Sequence, residues 1–255
     1  MKKKILAVAL ATIMVLIAVA GASLAYLKDT KKATNTFTVG DVKIELTEAE
    51  VEKNADGNIV AKAGGTRVAT GIDYGTISNL YPAQTVHKDP TIKNVGSEYA
   101  YIAAKITISS TPDAGAKTLY DVMGLTGTTL LDIGGFIEGG LMADPTDPAN
   151  NKIIDGGLAC SNDRYLIYQR VEGGKFVFYI FLEGAKAKDF SQTLFTTIKV
   201  PETWDNAEIA ALKGLTIDVE GYATQTNGFD SCIEAMTKAF ATAFTLPTEL
   251  TNPTP

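Results

Sequence analysis

Histidine is nearly missing from this chain: the 255 residues hold one, His87. A catalytic zinc ordinarily takes three protein ligands rich in histidine, with a carboxylate as base. Serine triads need an imidazole as well. A His-Glu-x-x-His helix, a GxxxxGK phosphate loop and the Asp-Thr/Ser-Gly setting of an aspartic dyad are all lacking; Asp29-Thr30 runs on into Lys31. His87 is therefore expected on a surface turn, and no catalytic residue, metal or cofactor is expected. Cysteine is scarce too, with Cys160 and Cys232 only, in no CxxC or Cys/His spacing. Two readings of this pair stay open. If the chain is exported, a Cys160–Cys232 disulfide is permitted and is worth about 4 kcal/mol in the chain-entropy model. In the other reading, exported or not, both are buried free thiols that behave as small apolar groups.

Positive charge is in deficit, and what there is lies partly at the very start. Lys2, Lys3 and Lys4 precede an apolar run from Ile5 to Ala22, and Ser23-Leu24-Ala25 follows. That order reads as a secretory signal over 1–25, with cleavage between Ala25 and Tyr26. A run of this length is also long enough for a retained membrane helix, but either reading exports the body. Beyond residue 25 there remain 20 Lys+Arg against 29 Asp+Glu, a net charge of −9. An acidic surface argues against nucleic-acid binding. The expected location is secreted, at the cell surface or in an extracellular matrix, touching membrane only through the signal segment before cleavage.

Period-two patterns dominate the rest. Ala100, Ile102, Ala104, Ile106 and Ile108 form one apolar face, with Lys105 and Thr107 on the other. Leu194, Thr196, Ile198 and Val200 repeat the alternation, as do Leu215, Ile217 and Val219. The unbroken run Phe176 to Leu182 predicts a central strand, joined through Glu172-Gly173-Gly174-Lys175 to a partner over Arg164 to Val171. In the first strand Phe37 and Val39 give way to Val42, Ile44 and Leu46, a change of parity at Gly40-Asp41 that suggests a bulge or bend. One helix is marked near the C-terminus, with Asp230 or Ser231 as cap and Glu234 completing a box. Ile233, Met236, Phe240 and Phe244 then recur at helical spacing. Residues 49–55 stay open between a short helix, boxed by Thr47 and Glu50, and a hairpin turning at Asp56-Gly57. The expectation is an all-β sandwich or barrel with short peripheral helices. It comprises a signal over 1–25, an arm over 26–40, a domain over 41–246 with an excursion at about 110–160, and a tail over 247–255.

Several stretches together resemble one family. The leader and cleavage site lead almost directly into the strand Ala33 to Leu46. Leu80-Tyr81-Pro82-Ala83-Gln84-Thr85-Val86-His87-Lys88-Asp89-Pro90 is similar to the family's "L-x-P-G-D…KD" turn, and Ile92-Lys93-Asn94-Val95-Gly96-Ser97 follows it. Ala223-Thr224-Gln225-Thr226-Asn227-Gly228-Phe229 is similar to its "A-x-Q-x-x-G-F" segment. The family is that of the secreted proteins processed by the SipW type of signal peptidase, typified by the matrix fibre protein TasA and by camelysin. Ala83 departs from it, standing where glycine is usual. The resemblance implies a jelly-roll-type sandwich that self-associates into biofilm or surface fibres by donor-strand exchange, together with contacts to other matrix or surface proteins. The donor would be the freed arm, with Thr34, Thr36, Phe37, Thr38 and Val39 as candidate strand residues. Camelysin is described as a metal-dependent peptidase, so a secreted metallopeptidase is the alternative the resemblance carries. A monomeric surface-binding module is a further one.

Two weaker signals remain. Asp144, Asp147 and Asp155, with Asn150 and Asn151, gather oxygen ligands of the kind calcium takes, at a spacing unlike an EF-hand. Leu246-Pro247-Thr248-Glu249-Leu250 approaches a sortase signal but has Glu249 and Leu250 where Thr-Gly is needed, so covalent wall anchoring is not expected.

Overall fold

A run as apolar as Phe176–Leu182 is stable only where a sheet is covered on both sides, and the rest of the chain is arranged to cover it. The computed structural model describes residues 28–31, 41–69, 80–123, 136–143 and 152–251. In chain order the strands are β1 (Lys28–Lys31), β2 (Ile44–Ala49), β3 (Val51–Lys53), β4 (Ile59–Ala61), β5 (Arg67–Ala69), β6 (Thr85–His87), β7 (Thr91–Asn94) and β8 (Ala100–Ser109). Then come β9 (Ile137–Glu138), β10 (Lys152–Ile154), β11 (Gly157–Ser161), β12 (Tyr165–Glu172), β13 (Lys175–Leu182), β14 (Ser191–Thr193), β15 (Thr197–Lys199) and β16 (Thr216–Gln225). Among the described residues four short α-helices accompany them, α1 (Leu119–Val122), α2 (Asn206–Ala210), α3 (Cys232–Ala239) and α4 (Thr248–Thr251), with one 3-10 turn over Gly140–Ala143.

The strands form three sheets, and the fold is mostly β and sandwich-like. The largest has the order β1-β16-β8-β13-β12-β11-β10, antiparallel throughout. A four-stranded sheet runs β14-β7-β2-β5 and a five-stranded one β3-β4-β6-β15-β9. Alternation in β13 divides the interior in two. Phe176, Phe178, Ile180 and Leu182 point to a core shared with Ile44, Leu46, Val86, Ile92 and Ile198 of the smaller sheets. Val177, Tyr179 and Phe181 point the other way, into a second core under α3 with Met236, Phe240 and Phe244. Each fully buried large side chain contributes roughly 1.5–3 kcal/mol. In β8, therefore, the face opposite Ile102 and Ile106 is not simply solvated, because Ala103 lies buried under α3.

The turns follow local chemistry. Gly173 and Gly174, with φ +55° and +80°, link Glu172 to Lys175 in the two-residue geometry whose twist suits a hairpin. Residues 49–55 form a hairpin, not a helix: β3 pairs with β4 around Asn54, whose Oδ1 accepts from the N–H of Asp56 and Asn58. Gly96 is required by packing, since a Cβ there would stand 2.0 Å from the carbonyl oxygen of Asp41. Ser231 caps α3 by accepting from the N–H of Glu234 at 3.2 Å, while the Glu234 carboxylate reaches the N–H of Asp230. The helix stops at Ala239, so Phe240 and Phe244 pack from the turn beyond it, with ring centroids 5.2 and 4.8 Å from Tyr222. Near the end of the stretch 110–160, β10 and β11 join the large sheet.

Candidate functional site

Strand β16 has two unequal sides. Against β8 it is paired along its whole length, from Thr216–Ser109 to Gln225–Ala100. On the other side lies β1, from the N-terminal arm, and it pairs at four positions: Lys28–Thr224, Asp29–Ala223, Thr30–Tyr222 and Lys31–Gly221. The described part of the arm ends with that pair. Among the described residues no strand pairs with β16 on this side from Thr216 to Val219, and Thr216 and Asp218 are exposed.

The centre of this strand is built for close approach. A Cβ on Gly221 would lie 3.2 Å from Cδ1 of Ile44 and 3.6 Å from that of Ile92, so the glycine lets the small sheet press against the large one. On the outer face Tyr222 donates a short hydrogen bond to Glu220, whose cross-strand neighbour is Lys105. Burial and the adjacent Glu220 carboxylate both raise the Tyr222 phenol, keeping it a donor. Thr216 meets Ser109 side chain to side chain at 2.8 Å.

A second polar cluster surrounds the single histidine. His87 ends β6 and is half-buried, not on a surface turn, because the turn before it is complete by Gln84 and Val86 is already in the core. Its Nε2 is buried, lacks a hydrogen-bond partner among the described residues, and lies 3.7 Å from Oδ1 of Asp89. Asp89 is committed elsewhere. Its Oδ1 accepts from the N–H of Ala49 at 2.8 Å, and its Oδ2 pairs with Arg67. Arg67 Nη2 also donates to the Asp89 carbonyl at 2.8 Å and to Thr91 Oγ1 at 2.7 Å. Beside it, Lys88 and the buried Glu48 meet at 2.6 Å. Arg67, Asp89, Lys88 and Glu48 thus tie β2, β5 and the β6–β7 connection together. Among the described residues no group of three His, Cys, Asp or Glu side chains is placed to hold a metal ion.

Of the two readings of the cysteine pair, the structure has the second, with no Cys160–Cys232 disulfide: both thiols are free and buried. Cys160, on β11, faces the core between the sheets, whereas Cys232 opens α3 on the opposite side of the large sheet. A whole sheet separates them. Burial pushes the Cys160 thiol up to about 12 and raises that of Cys232, whose Sγ donates to the Ile102 carbonyl. Asp155 sits at φ +47° in the β10–β11 turn beside Gly156, a turn residue by conformation. Asp144 and Asp147, the Ala25–Tyr26 cleavage site, and Thr34, Thr36, Phe37, Thr38 and Val39 lie outside the described residues.

The edge at Thr216–Val219, without a paired strand among the described residues, is the feature that sequence reasoning missed. The alternation of Leu215, Ile217 and Val219 marks a half-buried strand, but which strands flank it is decided by pairing across the chain. No protein-family model, no curated protein and no solved structure matches this chain. Among the described residues no helix is long and apolar enough to cross a membrane.

Proposed function

We propose that the chain is a secreted structural subunit of extracellular matrix or cell-surface fibres. In this reading it is a TasA/camelysin-like protein with a jelly-roll-type sandwich, and it assembles without covalent bonds by exchanging its N-terminal arm between copies. One observation carries the reading: residues 28–31 of the arm lie as the edge strand of the largest sheet, held along β16 at four positions. An edge strand so short is attached chiefly through main-chain groups, and such groups accept any strand that fits. Passing the arm to the next copy is a head-to-tail contact that need not close, and it yields a filament. The acidic balance of the body, −9 after residue 25, keeps unassembled copies apart. The partner is thus another copy of the chain.

Deleting Tyr26 to Thr36 tests this. The core strands lie downstream, so the shortened chain should stay folded by circular dichroism yet form no fibres under the electron microscope. Fibres of ordinary appearance from the shortened chain would rule out the arm as donor.

A further inference from the structure

We infer that the peptide bond between Asp89 and Pro90 is a self-cleavage site, cut by the side chain of Asp89 itself. This goes beyond the fibre reading and does not depend on it. The chain holds three Asp-Pro bonds, at 89–90, 144–145 and 147–148. In any such bond the carboxylate can close a five-membered ring on its own backbone carbonyl, and proline leaves as a basic secondary amine. What sets Asp89 apart is its surroundings.

One guanidinium grips both reacting groups. Arg67 Nη1 pairs with Oδ2 of Asp89, while Nη2 donates to the carbonyl oxygen of the same residue at 2.8 Å. A planar fork that binds the two at once draws the carboxylate toward its own carbonyl. That carbonyl oxygen has a second donor, the Thr91 hydroxyl at 3.0 Å. Arg67 and Thr91 are thus already aimed at the oxygen on which negative charge develops, as in an oxyanion hole. Oδ2 is neutralised by Arg67, whereas Oδ1 accepts from an uncharged donor, the Ala49 N–H, and is the freer nucleophile. Facing Oδ1 at 3.7 Å is His87 Nε2, buried and lacking a hydrogen-bond partner among the described residues. Asp89 and Thr91 are each 8% exposed, so bulk water competes little for these contacts.

The reaction needs one water and nothing else from outside. Oδ1 bonds to the backbone carbonyl carbon of Asp89, and Arg67 and Thr91 hold the oxyanion. The bond from that carbon to the Pro90 nitrogen then breaks; the nitrogen keeps the electron pair and takes a proton from the His87 imidazolium. Water opens the cyclic anhydride left on Asp89, giving two carboxylates, and its two protons go to His87 and to the Pro90 amine. The two pieces stay associated, because the β1–β16, β2–β7 and β6–β15 pairings all cross the cut.

The test is to hold the purified chain from residue 26 in native buffer near neutral pH, then run denaturing gels and sequence the fragments. A fragment beginning at Pro90 is expected, with Asp144–Pro145 and Asp147–Pro148 uncut as internal controls. Its rate of formation should not depend on protein concentration or on peptidase inhibitors. Thr91→Val keeps the shape and loses the hydroxyl, so it should slow the cut about a hundredfold. Pro90→Ala, which leaves both donors in place, should slow it too by worsening the leaving group. A chain that stays intact, equal cutting at all three Asp-Pro bonds, or a rate that rises with concentration would overturn the proposal. So would an unchanged rate in either variant once circular dichroism shows it folded.

Discussion

Ala83 shows how much one Cβ decides. The turn Tyr81-Pro82-Ala83-Gln84 closes with a hydrogen bond from the Gln84 N–H to the Tyr81 carbonyl at 3.1 Å. It has proline at its second position and φ +64° at its third. That is the type II arrangement, which wants glycine third, and alanine there carries left-handed strain. Ala83→Gly should raise stability by roughly 0.5–1 kcal/mol, the relief of strain being partly offset by a freer unfolded chain. A urea midpoint that rises at unchanged m-value would show it; a fall would contradict the turn assignment. Gln169 is the opposite kind of residue, 2% exposed on the inner face of β12. Its Oε1 and Nε2 lack hydrogen-bond partners among the described residues. Gln169→Met keeps the volume and removes the stranded polar atoms, so it should stabilise by about 1–2 kcal/mol. Thermal denaturation checks this, and a lower Tm would mean that the amide has a use.

The β12–β13 hairpin is the element most fully legible from the sequence, and it carries its own pH dependence. Glu172 accepts from Tyr179 Oη at 2.7 Å and from Arg170 Nε at 2.6 Å. Burial pushes its carboxyl up, but the Tyr179 and Arg170 hydrogen bonds and the Arg170 charge outweigh that and hold it below the ordinary range. A lowered carboxyl stabilises the fold above its unfolded value, and the gain is lost as pH falls through the native one. The side chain is about a third exposed, so Glu172→Gln should cost no more than about 1 kcal/mol at neutral pH. The difference should vanish in acid, where both side chains are neutral. A cost that persisted at pH 3 would point to packing instead. Elements like this were readable because their signals are local: an apolar run, two glycines, a capping serine before Cys232. The Gly96 turn was readable as a turn, but its reason, the Asp41 carbonyl, lies far away in sequence. Residues 49–55 were ambiguous because Thr47 and Glu50 make a plausible helix start. Long-range contacts decide it: Glu50 donates its N–H to the Thr66 carbonyl, and its own carbonyl accepts from Lys62.

At the scale of the whole molecule, the sequence carries the β class and the apolar faces, while sheet order and edges come only from pairing. Nothing local tells Thr216 that it will pair with Ser109 of β8, or Cys160 and Cys232 that a sheet will stand between them. The central claim is that the arm at the β16 edge is exchangeable between copies, which makes the protein a fibre subunit. Electron microscopy of the purified mature chain, beginning at Tyr26 and with nothing added, tests it most directly. The account predicts unbranched filaments that appear as concentration rises. A chain with an intact arm that stays monomeric at every concentration would contradict it.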